Sequence, residues 1–213
     1  MNKRFLAAIF LALFASGSAT LEASEFTDKY IEALDENDFV KQTTLIEQNK
    51  DKLPAEIKGL VDEAISPNTP KEEKTGKFHI AELLARAYKD ISGDVTLIKE
   101  VKKKAFDAQL SAPVKSTAVN GVHTIEMPKA TAAVKNVFMP DNIVIRKGET
   151  IRWVNTDAIT HIFSAMQIIS TGGFSSKSVE AGGNFEFKFD KPGEYFYLCF
   201  IHHAMVGKVT VEE

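Results

Sequence analysis

The sequence predicts an α+β chain in two parts, a small α-helical bundle followed by an all-β sandwich. Three observations carry this reading. Apolar residues of the amino-terminal half recur at helical spacing, those of the carboxy-terminal half alternate, and a small, polar stretch over 111–121 divides them. The chain has 213 residues, enough for two small domains. Its 26 basic and 29 acidic side chains leave a net charge of -3, without the basic stripe that a nucleic-acid partner requires.

Residues 1–23 precede both parts and read as a signal peptide. Lys3 and Arg4 stand before the apolar run Phe5–Ala15, and small residues, Ser16 to Ala19, follow it. A membrane span needs about 20 apolar residues, and this run is shorter. Export to the periplasm is therefore expected, with cleavage after Ala19 or Ala23 and no membrane span in the mature chain. The single cysteine, Cys199, cannot form a disulfide within the chain. A free thiol in an oxidising compartment is exposed to attack unless something occupies it, and a metal is one such occupant.

The helical domain is expected over 24–110. Phe26, Tyr30 and Leu34 lie four apart, and a further helix is expected over Asp38–Gln48. Leu53, Ile57, Leu60, Val61, Ala64 and Ile65 form an amphipathic stripe, with Pro54 suited to the first turn. Thr69-Pro70-Lys71-Glu72 has the pattern of a capping box. It opens a helix with the stripe Ile80, Leu83, Leu84, Ala87, Tyr88 and Ile91. Gly93 suits its stop, and Asp94 can cap the next helix. Four or five short helices of this kind bury their stripes as a bundle. No motif assigns this part a chemistry, so it reads as a packing or dimerisation domain, or as a docking module for a partner. Lys102-Lys103-Lys104 reads as a solvated helix end, where cations suit the dipole.

Residues 111–121 read as a linker, and the β domain is expected over 122–213. Thr150–Val154, Asn184–Phe189 and Lys208–Glu212 alternate, and glycine-rich turn signals at 147–148, 172–173, 182–183 and 191–193 separate the runs. Residues 113–213 hold 10 basic and 10 acidic side chains, so this part is electrically balanced, whereas 24–112 hold 14 and 18.

Cys199-Phe-Ile-His202-His203-Ala-Met205 places a thiolate, an imidazole and a thioether within seven residues, between two strand-like runs. His161 supplies a second imidazole from a loop after the Thr150–Val154 strand. Two histidines and a cysteine in a plane, with a weak axial methionine, form the blue-copper donor set. Each residue taken singly has a structural alternative. Cys199 could be a small buried hydrophobe, Met205 core filling, and either histidine a hydrogen-bonded loop residue. Their joint spacing favours the metal. His79 reads as a helix residue, and His203 as a competing ligand or a neighbour that points away. One cysteine excludes a binuclear thiolate-bridged centre, and five histidines are too few for the larger copper enzymes.

From Val122 to Glu213 the sequence resembles the cupredoxins, and their amicyanin and pseudoazurin branch in particular. The resemblance rests on Gly148–Asn155 leading to His161, on Lys191–Tyr197, and on the two-residue spacing between His202 and Met205. It implies an eight-stranded Greek-key sandwich holding one copper through His161, Cys199, His202 and Met205. It also implies a one-electron carrier between a redox donor and acceptor, and not an enzyme. Three positions depart from the family pattern. Ile162 replaces a common Asn that ties the ligand loops together, Phe200 replaces a common Thr or Ser, and Ile201 and His203 replace flanking prolines. Two rival readings remain: a copper chaperone or store, and a nitrosocyanin-like enzyme. The first lacks Met-rich tracts here, and the second lacks a suitably spaced carboxylate ligand.

Overall fold

The helices of the amino-terminal part begin where the sequence offers caps. In the computed structural model, which describes residues 24–131, 135–202 and 204–213, α1 spans Glu25–Asp35 and α2 Phe39–Asn49. Then follow α3 Leu53–Ile65, α4 Lys71–Ser92 and α5 Thr96–Asp107. The signal peptide expected over 1–23, and His203, lie outside the described residues. Ser24 caps α1, accepting from Thr27 N at 3.2 Å, and Asp38 caps α2, accepting from Lys41 N at 2.9 Å. Pro54 sits in the first turn of α3, and Gly93 stops α4 in the left-handed conformation at φ 75°.

The expected capping box is not made. The Thr69 hydroxyl donates instead to the Glu63 carbonyl at 2.6 Å, satisfying an end of α3, and α4 starts from Pro70 without a side-chain cap. The buried stripe of α4 is also displaced from the expected one. It comprises Phe78, Ile80, Ala81, Leu84 and Ala85, while Ile91 is exposed. Helices α3 and α4 pack together, and a Lys77–Glu63 ion pair of 2.5 Å joins them. Leu53, Ile57, Leu60 and Leu84 are buried, each contributing about 1.5–3 kcal/mol of transfer free energy.

The chain divides into two compact units, one ending at Val101 and one running from Lys102 to Glu213. The second contains two sheets. One has the order β1-β3-β8-β7-β5, from β1 Val114–Lys115, β3 Asn142–Arg146, β8 Val206–Glu212, β7 Gly193–Cys199 and β5 Phe163–Ala165. The other has the order β2-β4-β6, from Val122–Met127, Thr150–Asn155 and Asn184–Lys188. Strand β1 falls in the stretch read from sequence as a linker and pairs in parallel with β3. Between the sheets lies an aromatic core. Trp153 is fully buried and touches Phe163, Phe174, Phe185, Phe189 and Tyr197 at ring-centroid distances of 5.1–6.4 Å.

Strand β7 is buried on both faces. Tyr195, Tyr197 and Cys199 join the core, but Phe196, which points the other way, is also 0% exposed. The end of α5 covers it: Phe106 meets Phe196 edge to face at 5.6 Å. Lys208 Nζ lies 4.7 Å from the same ring and pairs with Glu194 at 2.7 Å and Asp107 at 2.9 Å. Burial alone would lower the Lys208 ammonium. Hydrogen bonds to Asp107 and Glu194 reverse that and leave its pKa above the ordinary value. Burial alone would raise the Glu194 carboxyl, and its bonds from Lys208 and Lys103 leave it below the usual range. Among the described residues no helix is long and apolar enough to cross a membrane.

Candidate metal centre

Two loops bring the donor side chains together. The first follows β4 and is braced by Asn155, a fully buried residue whose side-chain amide donates to Ile159 O at 2.7 Å and Val179 O at 2.8 Å. Its carbonyl oxygen accepts from Asp157 N at 2.9 Å, an Asx turn that reverses the chain. His161 is then fixed by an antiparallel bridge with Val179, at 3.1 and 2.8 Å. Short polar side chains after a strand thus become a rigid platform for an imidazole.

The second loop runs from Cys199, the last residue of β7, to Met205. It closes on itself: Cys199 N donates to Met205 O at 3.0 Å, and Met205 N to His202 O at 3.2 Å. Ala204 turns the chain with φ 67°, a conformation that costs a non-glycine residue about 1 kcal/mol or more. The two loops are tied by Phe200 N donating to Ile162 O at 2.8 Å. A backbone bond therefore joins the two loops at Ile162. Just beyond, Gly207 lies against the ring of Tyr197, and a methyl group there would run into it. Tyr197 is fully buried, and burial drives its phenol well above the ordinary value.

The donor atoms of His161, Cys199 and His202 converge. Cys199 Sγ lies 3.9 Å from His161 Nδ1 and 3.5 Å from His202 Nδ1, and the two Nδ1 atoms are 3.1 Å apart. Nitrogen and sulfur donors bound at about 2.0–2.3 Å around one ion in a plane lie roughly 3.5–3.8 Å apart. The observed separations bracket that range, so one ion fits the trio. Among the described residues it is the group of His, Cys, Asp and Glu side chains able to hold a metal. A thiolate with two imidazoles suits copper and not the oxygen-seeking cations. Burial, assisted by the neighbouring His202, lowers the His161 pKa against an opposing pull from Asp157. A lowered pKa keeps the ring neutral, as a ligand must be.

Of the four residues expected from sequence, three thus share one site. The fourth, Met205, is 1% exposed and belongs to the same core cluster as Cys199. His161 and Cys199 are buried and His202 is half-buried. His79 is exposed on α4. His123 is buried in β2, where its Nε2 meets Glu149 at 2.9 Å. Sequence reasoning gave no role to Asn155, named only as the end of the Gly148–Asn155 run, or to Asp157. The Asn-Thr-Asp run at the end of β4 was a turn signal that could have found them.

Two packed sheets of eight strands, with a cysteine and two imidazoles gathered by two loops, define a cupredoxin. Residues 125–212 match the family of copper binding proteins described as the plastocyanin/azurin family. The chain is 30% identical over 113 residues to amicyanin-alpha of Methylorubrum extorquens, a match covering 51% of this chain and 82% of that protein. It is 33% identical over 85 residues to plastocyanin of Scenedesmus fuscus, covering 36% of this chain and 87% of that one. Among solved structures, a copper-containing nitrite reductase from Thermus scotoductus SA-01 shares 24% identity at a TM-score of 0.41. That match covers 47% of this chain and 28% of that one. The chain belongs to the plastocyanin/azurin family of copper-binding proteins, and copper is its cofactor.

Proposed function

We propose that the protein is an exported, periplasmic one-electron carrier with a type 1 copper site. His161, Cys199 and His202 would be its principal ligands, and Met205, buried in the same core cluster as Cys199, would be a weak fourth. The observation that carries this reading is the convergence of three donor atoms from two interlocked loops, all within 4.8 Å of one another. Bound copper supplies the Cu(II)/Cu(I) couple. The side chains hold their donor positions because the Asn155 side chain and the His161–Val179 bridge brace the first loop, backbone hydrogen bonds close the second, and the Phe200–Ile162 bond ties the two. A fixed donor set needs little rearrangement when charge changes, which suits electron transfer and obstructs metal exchange.

His202 is the half-buried member of the trio, so an external donor or acceptor comes closest to the centre there. Phe200, Ile201 and Met139 are exposed apolar side chains suited to brief docking with redox proteins. The helical unit serves as a dimerisation or partner-docking module. Replacing Met205→Gln is expected to retain copper and to lower the reduction potential measured by voltammetry, since a harder oxygen donor favours Cu(II).

The experiment compares two rates on the copper-loaded protein. Stopped-flow reduction by a small one-electron donor is expected to finish far ahead of copper loss to a chelator of comparable affinity. Rapid copper release with sluggish reduction would instead assign the protein to copper delivery or storage.

A further inference from the structure

His161 presents Nδ1 to the donor trio, and its other ring nitrogen, Nε2, is buried without a hydrogen-bond partner. A buried polar group left in that state costs about 1–3 kcal/mol. A charged group faces it. Asp157 Oδ2 lies 3.9 Å from His161 Nε2, and the two side chains are only 5% and 1% exposed.

Asp157 is positioned by the fold and not by solvent. Its Oδ1 accepts from Ala158 N at 2.6 Å, its Oδ2 from the Asn136 side-chain amide at 3.1 Å, and its own amide donates to Asn155. The gap of 3.9 Å exceeds a hydrogen bond. It is also too short for an in-line water, which needs roughly 5.5 Å for two bonds of about 2.8 Å. A closure of about 1 Å brings the pair into the range of a charge-assisted hydrogen bond.

We infer that Asp157 is the outer partner of His161, a positioning residue that fixes the ring as the Nε2–H tautomer and biases the centre toward its oxidised state. The inference rests on the proposed copper site. A neutral imidazole carries one ring proton, and the nitrogen that holds it is set by the hydrogen bond made there. With the proton held at Nε2 by a carboxylate, the Nδ1 lone pair is available before metal arrives. The carboxylate also strengthens His161 as a donor. Its buried negative charge favours the more positive of the two copper oxidation states, because little water screens it.

Two variants separate the roles. Asp157→Asn keeps an oxygen acceptor but removes the charge, and Asp157→Leu removes both. Nitrogen-resolved NMR of the copper-free protein is expected to show the Nε2–H tautomer of His161 in the wild type and in Asp157→Asn, and mixed tautomers in Asp157→Leu. In the copper form, Asp157→Asn is expected to shift the Cu(I)/Cu(II) ratio about tenfold toward Cu(I) at a fixed potential, a rise of about 59 mV for one electron. An Nδ1–H tautomer in the wild type overturns the inference. So does a ratio in Asp157→Asn that is unchanged or moves toward Cu(II). If Asp157→Leu does not fold, the wild-type tautomer and the Asp157→Asn ratio still decide. The tautomer is read without copper. A wild-type protein that fails to form the copper centre therefore counts against the proposed function, and the Asp157–His161 pair is judged separately.

Discussion

The two units solve the burial problem with different materials. The unit ending at Val101 buries mostly aliphatic stripes, such as Leu53, Ile57, Leu60 and Leu84, and caps its helices locally through Ser24 and Asp38. The unit from Lys102 to Glu213 is built around stacked rings, with Trp153, Phe163, Phe174 and Tyr197 in mutual contact. A helical bundle tolerates exchange of one aliphatic residue for another of like volume, at a cost usually below about 1.5 kcal/mol. Interlocked rings fix the strands that carry Cys199 and the loop that carries His161, and a donor site needs that fixity. Ring packing is thus concentrated in the unit that carries the donor residues.

The difference predicts where each unit breaks. The largest effect concerns the start of the second unit. A fragment Lys102–Glu213 is expected to fold and bind copper, whereas one beginning at Gly121 loses Lys103, Phe106 and Asp107 and uncovers Phe196 and Lys208. In the full chain, Phe106→Ala alone is expected to cost about 3–5 kcal/mol in denaturant unfolding of the β unit. A fragment from Gly121 as stable as the longer one would show that the end of α5 is dispensable.

Next in size is Gly207→Ala. The added methyl meets the buried Tyr197 ring, so overpacking is expected to cost about 1–3 kcal/mol, read as a lowered urea midpoint. The equivalent change at Gly59 in α3 meets nothing within 4 Å and removes a helix-interior glycine. It is expected to stabilise the helical unit by about 0.4–1 kcal/mol. Equal effects at the two glycines would erase the contrast in packing.

The smallest effect is electrostatic. The Glu194 pKa is lowered in the folded protein, so its contribution is present above the unfolded value of about 4.3 and fades as pH falls through the folded one. The Lys208 pKa is raised, so its contribution is present below about 10.4 and fades as pH rises through the folded value. Lys208→Met is expected to flatten the pH dependence of the urea midpoint in both windows. An unchanged profile would show that the Glu194 carboxylate does not depend on this lysine.

The two units also differed in how legibly the sequence described them. Helix ends at Asp38, Pro54 and Gly93 were readable because each depends on neighbours within a few residues. The Thr69 cap was not, because a carbonyl of the preceding helix captured its hydroxyl. The Cys199–Met205 spacing and His161 announced the donor trio because metal binding demands particular residue types. By contrast, the roles of Lys103 and Asp107 depend on partners 91 and 101 positions away, Glu194 and Lys208, which no local pattern reveals. Phe196 lies within Lys191–Tyr197, a run that stood out only for its family resemblance. Its burial on the outer face follows from the end of α5, a segment whose lysines read as a solvated helix end. Asp157 was hidden for a related reason, since only the turn made by Asn155 aims it at His161.

The most direct test of the copper assignment is an optical titration of the copper-free protein with Cu(II), with Cys199→Ser alongside. The geometry predicts an intense visible thiolate-to-copper band that saturates at one copper per chain, and its complete absence from the folded Cys199→Ser variant. Copper binding without that band, or a band that survives the loss of the thiol, would contradict it.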